Sequence, residues 1–245
     1  MIPFVQAEFY TATSGRQIDL VVIHDMEYPE RITAAEDCAA YFAHPRQANG
    51  SPNRASAHYC IDADSIVQCV RDQDVAYAAP RVNHNGVHLE HAGYAAQSRQ
   101  EWLDGYSLAM LKLSAQLTAD LCRRYNIPTV HVDRTGLTSG ARGITTHRES
   151  TEAFGIVGGH TDPGPAFPMD VYIGFVQAAA KPLPPPGDEM SPEQEAKMDA
   201  LAVAVAKVAD DLTALRRQVS MGSKKPDRTM QTVLGLVADK LGVGN

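Results

Sequence analysis

The sequence predicts an α/β domain, with a mixed central sheet flanked by helices, followed by a C-terminal coiled-coil helix. Three observations carry this. Short β-branched runs alternate with stretches of helical periodicity over residues 1–180, a proline-rich break follows, and a strict heptad seam occupies much of the remainder.

Ile18 to Ile23, IDLVVI, is a nearly continuous apolar run of strand length. Such a run suits a strand buried on both faces, and it delivers His24 at its C-terminal end. Thr33, with Glu36 three residues on, forms a capping-box pattern that opens a helix through about Phe42. His58 to Ile61 and Ile66 to Val70 are β-rich and flank Asp62-Ala63-Asp64-Ser65, which predicts a hairpin. Val87 to His91 is a further strand. Tyr106, Met110, Leu113, Leu117 and Leu121 recur at helical spacing, predicting a helix to Tyr125, and Pro128 stops it before an expected strand at Thr129 to Val132.

The break lies at KPLPPPG, Lys181 to Gly187, where four prolines in seven residues favour an extended spacer. The expected organisation is one domain over 1–180, a linker over 181–190, a coiled-coil helix over 191–221 and an amphipathic helix over 227–242. Met198, Leu201, Val205, Val208, Leu212, Leu215 and Val219 step alternately by 3 and 4 residues, an a/d seam. A helix packing back on its own domain shows a wider stripe of period 3.6, so the seam predicts a homo-oligomer.

Composition limits the function classes. At 245 residues, with 44% hydrophobic and 21% charged, the chain is not a disordered one. Its net charge of −7 argues against a nucleic-acid partner. Within residues 181–245 nine basic side chains balance nine acidic ones, so the whole excess sits on 1–180 and the tail is no polybasic anchor. No apolar run approaches the roughly 18 residues of a membrane span, and MIPFVQAEFYTATSGRQ lacks the basic-then-apolar order of a signal peptide. A soluble protein made in the cytoplasm is expected. The four cysteines form no CxxC pair and are expected as buried thiols.

Among nine histidines, His24 follows a buried strand and His147 stands in GITTHRES after another apolar-to-polar transition. Asp162 precedes Pro163, which biases its backbone towards an extended form. Two imidazoles and one carboxylate would leave the fourth position of a tetrahedral zinc open, as a hydrolytic site requires. The spacing 24, 147, 162 matches no short metal motif, so on these residues alone an ordinary structural role stays open beside ligation.

Four separated blocks carry more. VVIHDME from Val21, SAHYCIDADSIVQCV from Ser56, NHNGVHLEHAGYA from Asn83, and ITTHRES with HTDPGPAFP from Ile144 resemble the type 2, zinc-dependent N-acetylmuramoyl-L-alanine amidases. That family includes phage endolysins, bacterial anhydro-muropeptide amidases and peptidoglycan recognition proteins. HAGYA and DPGPAFP are most similar to endolysins of phages infecting mycobacteria and their relatives.

The resemblance implies zinc held by His24, His147 and Asp162. It implies Glu90 as the catalytic glutamate, because Asn83 to Glu90 is similar to the family segment N-x-x-S-I-G-I-E. His88 and Glu90 share a strand face by alternation. Where many relatives carry lysine or threonine two residues before the last ligand, this chain has His160, whose imidazole can still donate a hydrogen bond to an oxyanion, with an altered pH dependence. Ala57 replaces a tyrosine of some relatives, Tyr77-Ala78-Ala79 replaces a Trp-His-Ala segment, and His58 is expected as a wall residue. The implied function is that of an endolysin: hydrolysis of the amide between the lactyl group of N-acetylmuramic acid and L-alanine in bacterial peptidoglycan. It would be held in the host cytoplasm and act on the wall after release. The alternative is a non-catalytic peptidoglycan-binding module or an oligomeric virion component.

Overall fold

The computed structural model describes residues 2–181. By its contacts the chain divides into units Met1–Pro182 and Leu183–Asn245, and the described residues fall in the first. The expected linker beyond 181, the helices at 191–221 and 227–242, and their coiled coil lie outside the described residues.

In chain order the elements are β1 (Tyr10–Thr11), β2 (Leu20–Asp25), α1 (Ala34–Ala43), β3 (Tyr59–Ile61), β4 (Ile66–Gln68), β5 (Val75–Ala76), β6 (Gly86–His91), α2 (Gly105–Arg124), α3 (Arg134–Thr138), β7 (Gly143–Thr146), α4 (His147–Phe154) and α5 (Met169–Ala180). A short 3₁₀ turn, Glu101–Leu103, precedes α2. Five strands form the main sheet in the order β4-β3-β6-β2-β7, while β1 and β5 pair separately. β3, β6, β2 and β7 run parallel and only β4 is antiparallel, through the expected hairpin.

The interior strand β2 is buried at every residue, as its unbroken apolar sequence requires of a strand covered on both faces. Alternation sorts its side chains. Val21 and Ile23, with Val87 and Leu89 of β6, face Met110, Leu111, Leu121 of α2 and Tyr172 and Val176 of α5. Leu20 and Val22 face the other way, against Ala79, Val82, Val132 and Leu137. Beside them a cluster of Ala35, Ala39 and Phe42 of α1 packs on Cys60, Val67 and Cys69. Each fully buried leucine or isoleucine in these layers contributes roughly 1.5–3 kcal/mol.

The helix ends follow capping chemistry. Asp104 accepts from the Ser107 N–H to start α2, and Arg123 and Arg124 occupy its last turn, where cations suit the helix dipole. A reciprocal capping box between Thr146 and Glu149 starts α4, and Gly155 at φ 58° ends it in the left-handed conformation that glycine adopts without strain.

Three expectations need correction. α1 begins where predicted, but Thr33 makes no capping bond; its hydroxyl turns to Asp37 Oδ2, and Asp62 Oδ2 from the hairpin takes the Ala35 N–H instead. A long-range carboxylate has displaced the local cap. The expected strand at Thr129 to Val132 is only a bridge between His131 and Ile144. Val130 is exposed there, so the segment has one neighbour and no second face to bury. Cys38 is half-exposed; the other three thiols are buried, with Cys60 and Cys69 Sγ 3.7 Å apart.

Candidate active site

The carboxyl ends of parallel strands, beyond which helices and loops diverge, form the usual crevice of an open α/β sheet. Register places the chemistry there. His24 of β2 stands directly beside Glu90 of β6. On the other side Ile23 pairs with Thr146, so His147, the next residue, begins α4 alongside His24.

Asp162 arrives on a loop. Its carbonyl accepts from the Arg148 N–H at 2.8 Å, tying it to the start of α4, and its peptide bond to Pro163 is cis. Gly164, at φ 83°, completes that loop. A Cβ there would lie 1.9 Å from the Ala95 carbonyl oxygen, so only glycine lets the two backbones approach.

The structure brings His24, His147 and Asp162 together, with one donor atom of each within 4.8 Å of the others, all three buried. His24 Nδ1 lies 2.9 Å from Asp162 Oδ2 and His147 Nδ1 lies 3.0 Å from Asp162 Oδ1. Among the described residues Oδ1 is a buried acceptor with no geometrically formed hydrogen bond. Burial alone would raise the Asp162 carboxyl, yet the two imidazoles facing it outweigh that and hold it well below the usual carboxylate range. Burial keeps His24 neutral by lowering its pKa, more than the neighbouring carboxylate raises it. Two imidazole nitrogens and an ionised, under-satisfied carboxylate are the donor set zinc takes, so these residues fit the ion.

A pocket of about 460 Å³ opens over the triad, lined also by Glu90, His160, Tyr41, Tyr77 and Ala78. Burial, then the nearby Cys38, Asp162 and Asp25, push the Glu90 carboxyl well above its ordinary value. His160 is largely exposed, stacks on His147 at 5.0 Å and 17°, and brings Nδ1 to 3.7 Å from Asp162 Oδ1. His58, expected as a wall residue, lies outside this lining; it is fully buried, and its Nδ1 accepts from the His88 N–H, a structural contact. A second pocket of about 660 Å³ shares Met26, Cys38 and Tyr41 with the first.

Sequence reasoning missed several neighbours. Asp25 Oδ1 accepts from the Glu27 N–H while its buried Oδ2 has no partner among the described residues, and burial raises this carboxyl to about 8. Its position beside His24 was the available signal. Cys38 and Tyr41 come from α1, whose pocket-facing side no motif marks.

The family described as N-acetylmuramoyl-L-alanine amidase matches residues 14–165. N-acetylmuramoyl-L-alanine amidase A of Achromobacter lyticus is 25% identical over 170 residues, covering 67% of this chain and 86% of that protein. The fold is similar to that of the Staphylococcus aureus hydrolase AmiA in complex with its ligand, with a TM-score of 0.56 at 17% identity, over 74% of this chain and 83% of the other. It is also similar to the catalytic domain of XlyA, with a TM-score of 0.50 at 14% identity, over 74% and 99%.

Proposed function

The chain belongs to the N-acetylmuramoyl-L-alanine amidase family, and from that premise we propose that it is a zinc-dependent peptidoglycan hydrolase of endolysin type. It cleaves the amide joining the lactyl group of N-acetylmuramic acid to L-alanine of the stem peptide. One observation carries the reading: His24, His147 and Asp162 converge at the floor of a pocket whose wall holds a carboxyl of raised pKa, Glu90.

Zinc bound by the triad supplies Lewis acidity, which polarises a carbonyl and acidifies a water. Glu90 takes the proton of the attacking water and passes it to the leaving amine; a raised pKa suits both halves of that transfer. His160, at the rim beside Asp162, donates a hydrogen bond to the developing oxyanion. Tyr41 and Tyr77 offer ring faces and polar tips to the sugar and peptide on either side of the scissile bond.

The presence of all three donors together with Glu90 supports a catalyst over a non-catalytic binding module. Storage in the cytoplasm of a phage-infected host, a mycobacterial or related host, and oligomerisation through the tail belong to the same proposal. Among the described residues no helix is long and apolar enough to cross a membrane.

Mass spectrometry of digested peptidoglycan tests the reaction. New free L-alanine amino ends on intact glycan strands are expected; new reducing sugar ends in their place would refute it. Zinc content tests the metal: about one ion per chain, lost in His147→Ala, is expected of a three-ligand site.

A further inference from the structure

His88 has no part in that mechanism, yet its ring is fully buried directly behind the triad. Its Nδ1 lies 3.0 Å from His24 Nε2, on the opposite side of the His24 ring from Nδ1, the atom that meets Asp162. Two ring nitrogens facing each other at this distance share one proton, so one donates and the other accepts. When His24 offers its Nδ1 lone pair to a cation, its own proton sits on Nε2. His88 Nδ1 is then the acceptor.

We propose that His88 is a positioning residue that holds His24 in the Nε2–H tautomer and in the ring orientation that aims Nδ1 at the metal; this rests on the zinc site proposed above.

Several contacts fix His88 itself. Its backbone N–H donates to His58 Nδ1 at 3.0 Å, and the His58 ring stacks on its own at 5.5 Å and 17°. Because His58 Nδ1 accepts, the His58 proton lies on Nε2, 3.1 Å from the Asp74 carbonyl, which takes it. Arg16, whose Nη2 is 2.9 Å from that nitrogen, therefore directs its hydrogens to the carbonyls of Asp72 and Gly86, at 2.8 and 3.0 Å. From below, Gly86 makes room: a Cβ there would lie 3.2 Å from His88 Nε2 and 2.9 Å from Val22 Cγ2. Among the described residues His88 Nε2 has no partner. Among those residues the one side-chain hydrogen bond of His88 is to His24, so its polarity inside the core is directed at that ring. A partner of this kind orients a ligating imidazole and raises its basicity.

The test is zinc affinity of the full chain, measured by competition with a chromophoric chelator, in the wild type, His88→Asn and His88→Leu. Asparagine keeps an acceptor close to the Nδ1 position and leucine fills the space without one. Zinc binding should weaken roughly 10- to 100-fold in His88→Leu, the usual effect of losing such a partner, and by only a few-fold in His88→Asn. Equal affinity of wild type and His88→Leu, or equal weakening of both variants, would overturn the role. Should His88→Leu fail to fold, ¹⁵N–¹H correlation spectra of the zinc-loaded wild type decide instead. A protonated His24 Nε2 facing an unprotonated His88 Nδ1 is expected, and a proton on His88 Nδ1 overturns it. A wild type that binds no zinc would sink the metal site and this role together, whereas zinc binding indifferent to His88 sinks the role alone.

Discussion

Acidification from pH 7.5 to 5 should destabilise the domain, and His91 carries a separable share of the loss. On the opposite face of β6 from Glu90, His91 is fully buried, with Nδ1 3.0 Å from the His24 carbonyl and Nε2 2.6 Å from Ser114 Oγ. A carbonyl can only accept, so the proton sits on Nδ1 and Nε2 accepts from Ser114. Ser114 and Thr118 both meet Tyr172 OH at 2.7 Å, so this neutral ring anchors a polar network linking β6, α2 and α5. Burial lowers the His91 pKa from 6.5 to about 4, against the raising effect of the His24 carbonyl. The unfolded chain therefore binds a proton more readily than the folded one, and stability is complete above 6.5 and lost as pH falls towards 4. At pH 5 the His91 share of the loss is about 2 kcal/mol, approaching a limit of about 3 kcal/mol below pH 4. Urea unfolding of the full chain, with chelator present to keep metal linkage out, measures it. The single tryptophan, Trp102, is buried in this domain and supplies the fluorescence signal. His91→Asn keeps a donor for the His24 carbonyl but does not titrate. It should be less stable at every pH and should lose about 2 kcal/mol less than the wild type between the two pH values. Equal losses in the two proteins would refute the reasoning, because His58 and the site histidines are common to both.

Glu90→Gln should retain zinc while turnover on peptidoglycan falls roughly a hundredfold or more, the usual worth of general acid/base help; loss of metal would make Glu90 a ligand. In the wild type the acidic limb of the activity profile should sit above the ordinary carboxylate range, since the base must be ionised and its pKa is raised. His160→Ala should lower kcat by about tenfold, less than the roughly hundredfold of a buried oxyanion donor, because His160 is solvated; an unchanged kcat removes it from the mechanism. Light scattering should find the full chain oligomeric and residues 1–186 monomeric at micromolar concentration, and a monomeric full chain would refute the heptad reading.

What the sequence left illegible has physical causes. The Thr33 pattern promised a local cap, but a carboxylate distant in sequence, Asp62, took the helix N–H, and no window around residue 33 contains that competition. Thr129 to Val132 has strand composition, yet β7 offers it only a bridge, so tertiary exposure overrode propensity. α5 carries apolar residues around most of its circumference and shows little of the one-sided stripe that marks a helix in sequence. His88 stands at the glycine of the N-x-x-S-I-G-I-E segment, so the resemblance that located Glu90 had no role to offer its neighbour.

What was legible depended on a period of two. In β6 the alternation sends Val87, Leu89 and His91 to the helix layer and His88 and Glu90 to the pocket side, and β2 does the same with Ile23 and His24. Identical imidazoles thereby acquire opposite tasks: His91 ties strand to helix, while His24 and His88, on the other face, take the proposed roles of ligand and support. A one-residue slip of β6 against β2 would reverse every one of these assignments, putting Leu89 in the pocket and Glu90 against Ser114. The apolar residues on the helix-facing side therefore fix the register, and the register fixes where the carboxylate stands. The placing of His24 and Glu90 side by side is in this sense specified by Val21, Ile23, Val87 and Leu89, none of which lines the pocket.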